Sequence, residues 1–236
     1  MNKGFGSKKD NRKENNDKAS LIKKGLRCQK EGELEMAEKY YKEFLELGYM
    51  DCRISINYAQ LLKSKNKYND AINLLESTIQ AYPKQIEAYI SLINTYIEKK
   101  QDSEAIELLR KAIKIESNSI QLYNTLASLL YNSKKYTEAE KTINTSLNIN
   151  PNNSKSILIS ADILFATKKY ENSIFYMNRA LKLFYKSDEL HYKIGKAYQL
   201  INNNKLAIHH YTEANKLNDQ ELRYINDLAS LLKRSG

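Results

Sequence analysis

The chain has 236 residues, a formal net charge of +10 and only seven glycines and two prolines, too few turn-formers for an all-β sandwich or barrel. No run of eighteen apolar residues occurs, which excludes a transmembrane helix, and the two cysteines, Cys28 and Cys52, have neither metal-ligand nor disulfide-framework spacing. The 38 basic residues are mixed with 28 acidic ones along the chain, so the positive balance alone does not imply nucleic acid.

Residues 1–17 are rich in lysine and asparagine and lack the apolar core of a secretory signal; low hydrophobicity predicts a disordered basic tail. Reduced thiols and the absence of a leader predict a cytoplasmic protein. From residue 18 onward a period of 34 governs the sequence. Ala37, Ala71, Ala105, Ala139, Ser173 and Ala207 form one ladder of small residues. Gly25, Ala59, Ile93, Ala127, Ala161, Gly195 and Ala229 form a second, twelve residues ahead. A fixed period of this length means stacked supersecondary units.

The units are 18–51, 52–85, 86–119, 120–153, 154–187 and 188–221. The fourth shows the design. Tyr123, Leu126, Ala127 and Leu130 make one apolar helix face, and Tyr136, Ala139, Ile143, Leu147 and Ile149 make another. The polar break Asn132-Ser133-Lys134-Lys135 separates them, and Pro151 ends the unit. Each unit is thus a helical hairpin, helix A then helix B, of two helices about 21 Å long at the standard rise. Neither helix can bury its apolar face alone, so stacking closes the core. Small residues on the ladders permit close helix crossings. Residues 222–234 repeat helix A once more, with Ile225, Leu228, Ala229 and Leu232 on one face, and are expected to form a polar-faced capping helix.

His191-Tyr192-Lys193-Ile194-Gly195-Lys196-Ala197-Tyr198, followed by Ala207, Tyr211 and Ala214, resembles the tetratricopeptide repeat. Tyr123, Leu126, Ala127, Ala139 and Pro151 match in the fourth unit; Tyr89, Leu92, Tyr96, Ala105 and Ala112 match in the third. Ile93 and Ser173 depart from the pattern, and the terminal proline survives only at Pro83 and Pro151. The resemblance implies an all-α, right-handed superhelical solenoid of six 34-residue helix-turn-helix repeats plus the capping helix. It also implies a non-enzymatic interaction scaffold whose A helices line a concave groove for a peptide segment or helix of another protein.

Carried over by position, the groove comprises Arg53, Ile56, Asn57, Gln60 and Lys63, then Glu87, Ile90, Asn94 and Ile97. It continues with Gln121, Asn124, Ser128 and Tyr131, and with Lys155, Leu158, Asp162 and Phe165. The amides of Asn57, Asn94 and Asn124 suit a peptide backbone, and Ile97, Tyr131 and Phe165 supply apolar anchors. The family's carboxylate clamp is not expected, because Ile22, Leu26, Glu87 and Ser91 occupy its positions. A second candidate surface is a basic edge at the A-to-B turns: Lys65, Lys67, Lys99, Lys100, Lys134, Lys135, Lys168 and Lys169. Such lysines would engage an acidic polymer, or simply offset helix dipoles.

Two other readings are an accessory module for a glycosyl-, sulfo- or methyltransferase acting in trans, and RNA binding. RNA is disfavoured because Glu87, Asp162 and Glu189 oppose Arg53, Lys155 and Lys196, and no side-chain pair recurs on every repeat. His209 and His210 diverge on one helix and His191 holds a packing position, so no metal or cofactor is expected. Most of the eighteen tyrosines, such as Tyr68, Tyr136 and Tyr170, are assigned to packing and Cys28 to the core. The chain is expected to be a monomer.

Overall fold

A computed structural model describes residues 6–184 and 186–235. Every regular element among them is an α-helix: α1 (Gly6–Glu31), α2 (Leu34–Glu46), α3 (Cys52–Ser64), α4 (Tyr68–Ala81), α5 (Ile86–Glu98), α6 (Asp102–Ile115), α7 (Ile120–Asn132), α8 (Tyr136–Ile149), α9 (Ser154–Ala166), α10 (Tyr170–Leu183), α11 (Asp188–Leu200), α12 (Asn204–Leu217) and α13 (Leu222–Ser235). The odd helices from α3 to α13 begin 34 residues apart, and so do all the even ones. The chain divides into two compact units, residues 1–115 and 116–236.

In the first unit α1 packs on α2, α3 on α4 and α5 on α6, with α2 against α3 and α4 against α5. The second repeats the scheme with α7 on α8, α9 on α10 and α11 on α12, joined by α8 on α9 and α10 on α11, and α13 packs on α12. The ladder residues sit where this packing is tightest: Ala37, Ala59, Ala71 and Ala105 are fully buried in the first unit, and Ala127, Ala139 and Ala207 in the second. The two departures are accommodated. Ile93 is buried, and the Ser173 hydroxyl donates to the Ala161 carbonyl at 2.8 Å, so its polarity costs little.

Size matching accompanies the ladder. Gly25 and Gly195 are the two nodes whose neighbour sixteen residues on is tyrosine, Tyr41 and Tyr211. Elsewhere the pairs are Ala59 with Leu75, Ala127 with Ile143 and Ala161 with Met177. A Cβ on Gly195 would lie 2.7 Å from Tyr211 Cδ1, and one on Gly25 would lie 2.6 Å from Tyr41 Cε1. The rings occupy the space that the missing methyl groups leave.

The turns inside the hairpins share one device that the sequence analysis does not anticipate. Gly32, Asn66, Lys100, Lys134, Lys168 and Asn202, also 34 apart, all have positive φ, between 58° and 83°. At each, the next residue's N–H returns to a carbonyl five positions back, as Lys135 does to Leu130 at 2.8 Å. This left-handed C-terminal cap favours glycine, and three of the six positions carry lysine instead. Lys134→Gly is therefore expected to stabilise the second unit by about 0.5–1 kcal/mol, whereas Lys134→Val destabilises it. Urea midpoints of the two variants check the sign.

Two expectations are corrected. Helix α1 begins at Gly6, so residues 6–17 are helical rather than a disordered tail; no proline or glycine interrupts them, and lysine, arginine and glutamate are good helix formers. Residues 1–5 lie outside the described residues. The capping helix turns a different face inward: Tyr224 and Leu231 are buried with Leu228 against Tyr192, Ala207, Tyr211 and Ala214, while Ile225, Ala229 and Leu232 face solvent. A helix A has two apolar stripes, one for the preceding hairpin and one for its own helix B; α13 uses only the first.

Candidate partner-binding site

Each unit carries one pocket built from equivalent positions. In the first, α3 supplies Arg53, Ile56 and Asn57, the end of α4 supplies Tyr82, and the approach to α5 supplies Gln85 and Glu87, around a cavity of about 600 Å³. Asp51 organises its rim: its Oδ1 accepts from the N–H groups of Arg53 and Ile54 at 3.0 and 3.3 Å and lies 3.6 Å from the Arg53 guanidinium. Burial pushes the Cys52 thiol up, so it lines this pocket as a neutral group.

In the second unit Leu158 and Asp162 of α9, Leu183 and Phe184 at the end of α10, Lys186 and Ser187 of the connection, and Glu189, Leu190 and Lys193 of α11 enclose about 620 Å³. Lys193 Nζ donates to Asp162 Oδ1 at 2.7 Å across the floor. The Ser187 hydroxyl caps α11 by accepting from the Leu190 N–H at 3.3 Å. Leu183 and Phe184 are about half exposed, which is costly for side chains with no partner to cover them. Ile56 and Leu158, Tyr82 and Phe184, Gln85 and Ser187, and Glu87 and Glu189 are each 102 residues apart, three periods. Both pockets thus combine an aliphatic floor, an aromatic wall and a carboxylate at a helix start.

Of the groove residues expected from the resemblance, Arg53, Ile56, Asn57 and Glu87 meet in the first pocket and Leu158 and Asp162 in the second. Gln60 and Asn94 are exposed and Ile90 and Ile97 half-buried outside the first; Gln121 and Lys155 are exposed and Ser128 is half-buried outside the second. Lys63 is held by Glu98 at 2.8 Å. Three assignments fail. Asn124 is 2% exposed, and its side chain is consumed by Ser146, Ser156 and Asn153. Tyr131 packs its ring 5.8 Å from Tyr136, and Phe165 packs 5.5 Å from Tyr170, so neither is a free anchor.

Sequence reasoning missed Tyr82, Leu183, Phe184, Leu190 and Lys193. A signal was present for three of them: an apolar residue at the last turn of a helix B, beside a break, has no place in the hairpin core.

Half of the basic edge is engaged. Lys65 and Lys67 both donate to Glu38, whose carboxyl is held down to about 2 by the Lys65 hydrogen bond despite partial burial. Lys99 donates to Asn69 Oδ1 at 2.7 Å, and Lys169 to both oxygens of Glu140 at 2.7 and 2.8 Å. These reach back to the preceding helix B, so they tie hairpins together, whereas Lys100, Lys134, Lys135 and Lys168 stay exposed.

The structure also brings His191 of α11 and His210 of α12 together, Nδ1 to Nδ1 at 3.1 Å, with His209 against His210 at 5.2 Å between ring centroids. Burial lowers both members of the pair, His210 to about 4, so they remain neutral and one donates to the other. Among the described residues no group of three His, Cys, Asp or Glu side chains could hold a metal ion, and no helix is long and apolar enough to cross a membrane.

YrrB, a TPR protein with an unusual peptide-binding site, superposes with a TM-score of 0.69 at 17% identity, covering 79% of this chain and 96% of its own. A MamA crystal structure gives 0.66 at 17% identity, covering 73% and 94%. MamA from Desulfovibrio magneticus RS-1, residue 41 to its end, gives 0.65 at 15%, covering 72% and 96%. At these identities the likeness is one of fold. No curated protein matches the chain by sequence. Two sequence profiles, each of the tetratricopeptide repeat, match residues 61–123 and 103–157, and 154–186 and 188–221. With more than half of its length matched, and the matches 154–186 and 188–221 coinciding with single hairpins, the chain belongs to the tetratricopeptide repeat family.

Proposed function

We propose that the protein is a non-enzymatic scaffold that binds extended segments of a partner protein, each of the two pockets seating an apolar side chain. The observation that carries this reading is the recurrence, three periods apart, of an aliphatic residue, an aromatic wall and a glutamate around a cavity of side-chain size. Structural likeness to YrrB, which has a peptide-binding site, agrees with it. The Lys193–Asp162 pair and Glu189 place charges of both signs in the lining of the second pocket, which suits a segment with a polar backbone and mixed charges rather than a uniform polyanion. The free thiols of Cys28 and Cys52 suit a reducing compartment, in keeping with a cytoplasmic scaffold.

An acidic polymer along the lysine edge has less support, because Lys65, Lys67 and Lys169 already neutralise Glu38 and Glu140. The test is selection of peptides from a random display library on the full chain, followed by titration of the best binder. Leu158→Asp, at a half-buried site on the pocket floor, is expected to weaken binding at least about tenfold. Equal binding by Leu158→Asp, or selection of no peptide while RNA binds with steep salt dependence, overturns the reading.

A further inference from the structure

The outer face of α13 carries an exposed apolar stripe. Leu222 is 69% exposed, Ile225 40% and Leu232 50%, with Ala229 exposed between them. The equivalent positions are buried or half-buried in the preceding odd helices: Tyr123, Ala127 and Leu130 on α7, Ile157, Ala161 and Leu164 on α9, and His191, Gly195 and Tyr198 on α11. There it receives the hairpin's own helix B, which runs antiparallel. Leu222, Ile225, Ala229 and Leu232 follow at spacings of three, four and three, the pattern of a two-helix seam.

We propose that this face pairs with the same face of a second copy of the chain, the two α13 helices antiparallel about a twofold axis. Three features favour that occupant. Antiparallel pairing sets Leu222 opposite Leu232 of the partner subunit at the ends and Ile225 opposite Ala229 of the partner subunit at the centre, where large meets small and the backbones can approach. The partner's helix takes the position and the direction that a helix B has in every hairpin. The two ends of the helix also differ in charge: Asp219 and Glu221 precede it, with Glu221 paired to Arg223 of the first turn at 3.1 Å so that the approach keeps a net negative charge, and Lys233 and Arg234 close it. An antiparallel pair brings each basic end beside the partner's acidic approach, while a parallel pair would set like charges together.

Sedimentation equilibrium of the full chain tests the pairing, with far-UV circular dichroism to verify that each variant is folded. The native chain is expected to reach the dimer mass at high micromolar loading, and Ile225→Glu, at an exposed site, is expected to weaken the dimer at least about tenfold. Two charge variants decide the direction. Lys233→Glu/Arg234→Glu and Asp219→Lys/Glu221→Lys each set like charges at both ends of the homodimer and are expected to be monomeric at the loading where the native chain is dimeric. An equimolar mixture restores opposite charges and is expected to recover the dimer mass. A native chain that remains monomeric, a dimer indifferent to Ile225→Glu, or a mixture no heavier than its components overturns the proposal. None of these measurements involves the pockets.

Discussion

Truncation of Tyr211 to alanine is expected to destabilise the second unit by about 3–5 kcal/mol, the largest single effect in the molecule. Its ring is fully buried on α12, fills the space opposite Gly195, packs 5.6 Å from the Tyr192 ring, and its hydroxyl donates to Gln199 Oε1 at 2.7 Å. Removing it leaves a cavity among Tyr192, Ala207 and Ala214 and strips α13 of part of its support. The companion variants make the prediction sharper. Gly195→Ala alone is expected to cost about 1–3 kcal/mol, because its Cβ would meet a ring that is walled in and the Ala207 carbonyl at 3.2 Å. In the presence of Tyr211→Leu, which recreates the Ala59–Leu75 type of pair, most of that cost should vanish. Urea unfolding of the two singles and the double reads the coupling. Additive costs would mean that the ring and the glycine do not compensate for one another.

Asn124→Ala is expected to cost about 2–3 kcal/mol, whereas Asn94→Ala, at an exposed site on the equivalent face of the first unit, stays within about 0.5 kcal/mol. Asn124 Oδ1 accepts from the Ser146 and Ser156 hydroxyls at 2.8 and 2.9 Å, and its Nδ2 donates to Asn153 Oδ1 at 3.2 Å. Asn153 in turn caps α9 by accepting from the Ser156 N–H at 2.9 Å. One amide therefore links α7, α8 and the start of α9 through fully buried hydroxyls, and its loss leaves those hydroxyls under-bonded in a site closed to water. Equal urea midpoints for the two variants would return Asn124 to the list of partner contacts.

Asn57, Asn94 and Asn124 look alike in the sequence, since all three lie on A helices and all are amides. What separates them is the neighbour: Ser146, where the other repeats have phenylalanine, threonine or alanine, and Ser156 lie within reach of Asn124. The lysines of the turns divide in the same manner. Glu38 and Glu140 lie 27 to 29 residues before the lysines that reach them, a separation that a stacked array brings within 3.3 Å and that no local pattern displays. The pockets were half legible. Arg53, Ile56, Asn57, Leu158 and Asp162 followed from helix position, but Tyr82 and Phe184 belong to the connection after helix B, whose course depends on how the next hairpin docks.

The period, the helix class and the close crossings are legible in the sequence, because these depend on residue size and apolar spacing within about one hairpin. Helix α3 and its successors recur at 34 residues for that reason, and Gly195 with Tyr211 could be matched by their spacing of sixteen. Which polar groups are spent inside the fold, that His191 and His210 meet within hydrogen-bond distance, and which stripe of α13 is left bare follow from the packing of the helices. Those outcomes depend on distances between residues remote in the chain. Desolvation and hydrogen bonding act over a few ångströms, so a residue's role follows from what is placed beside it.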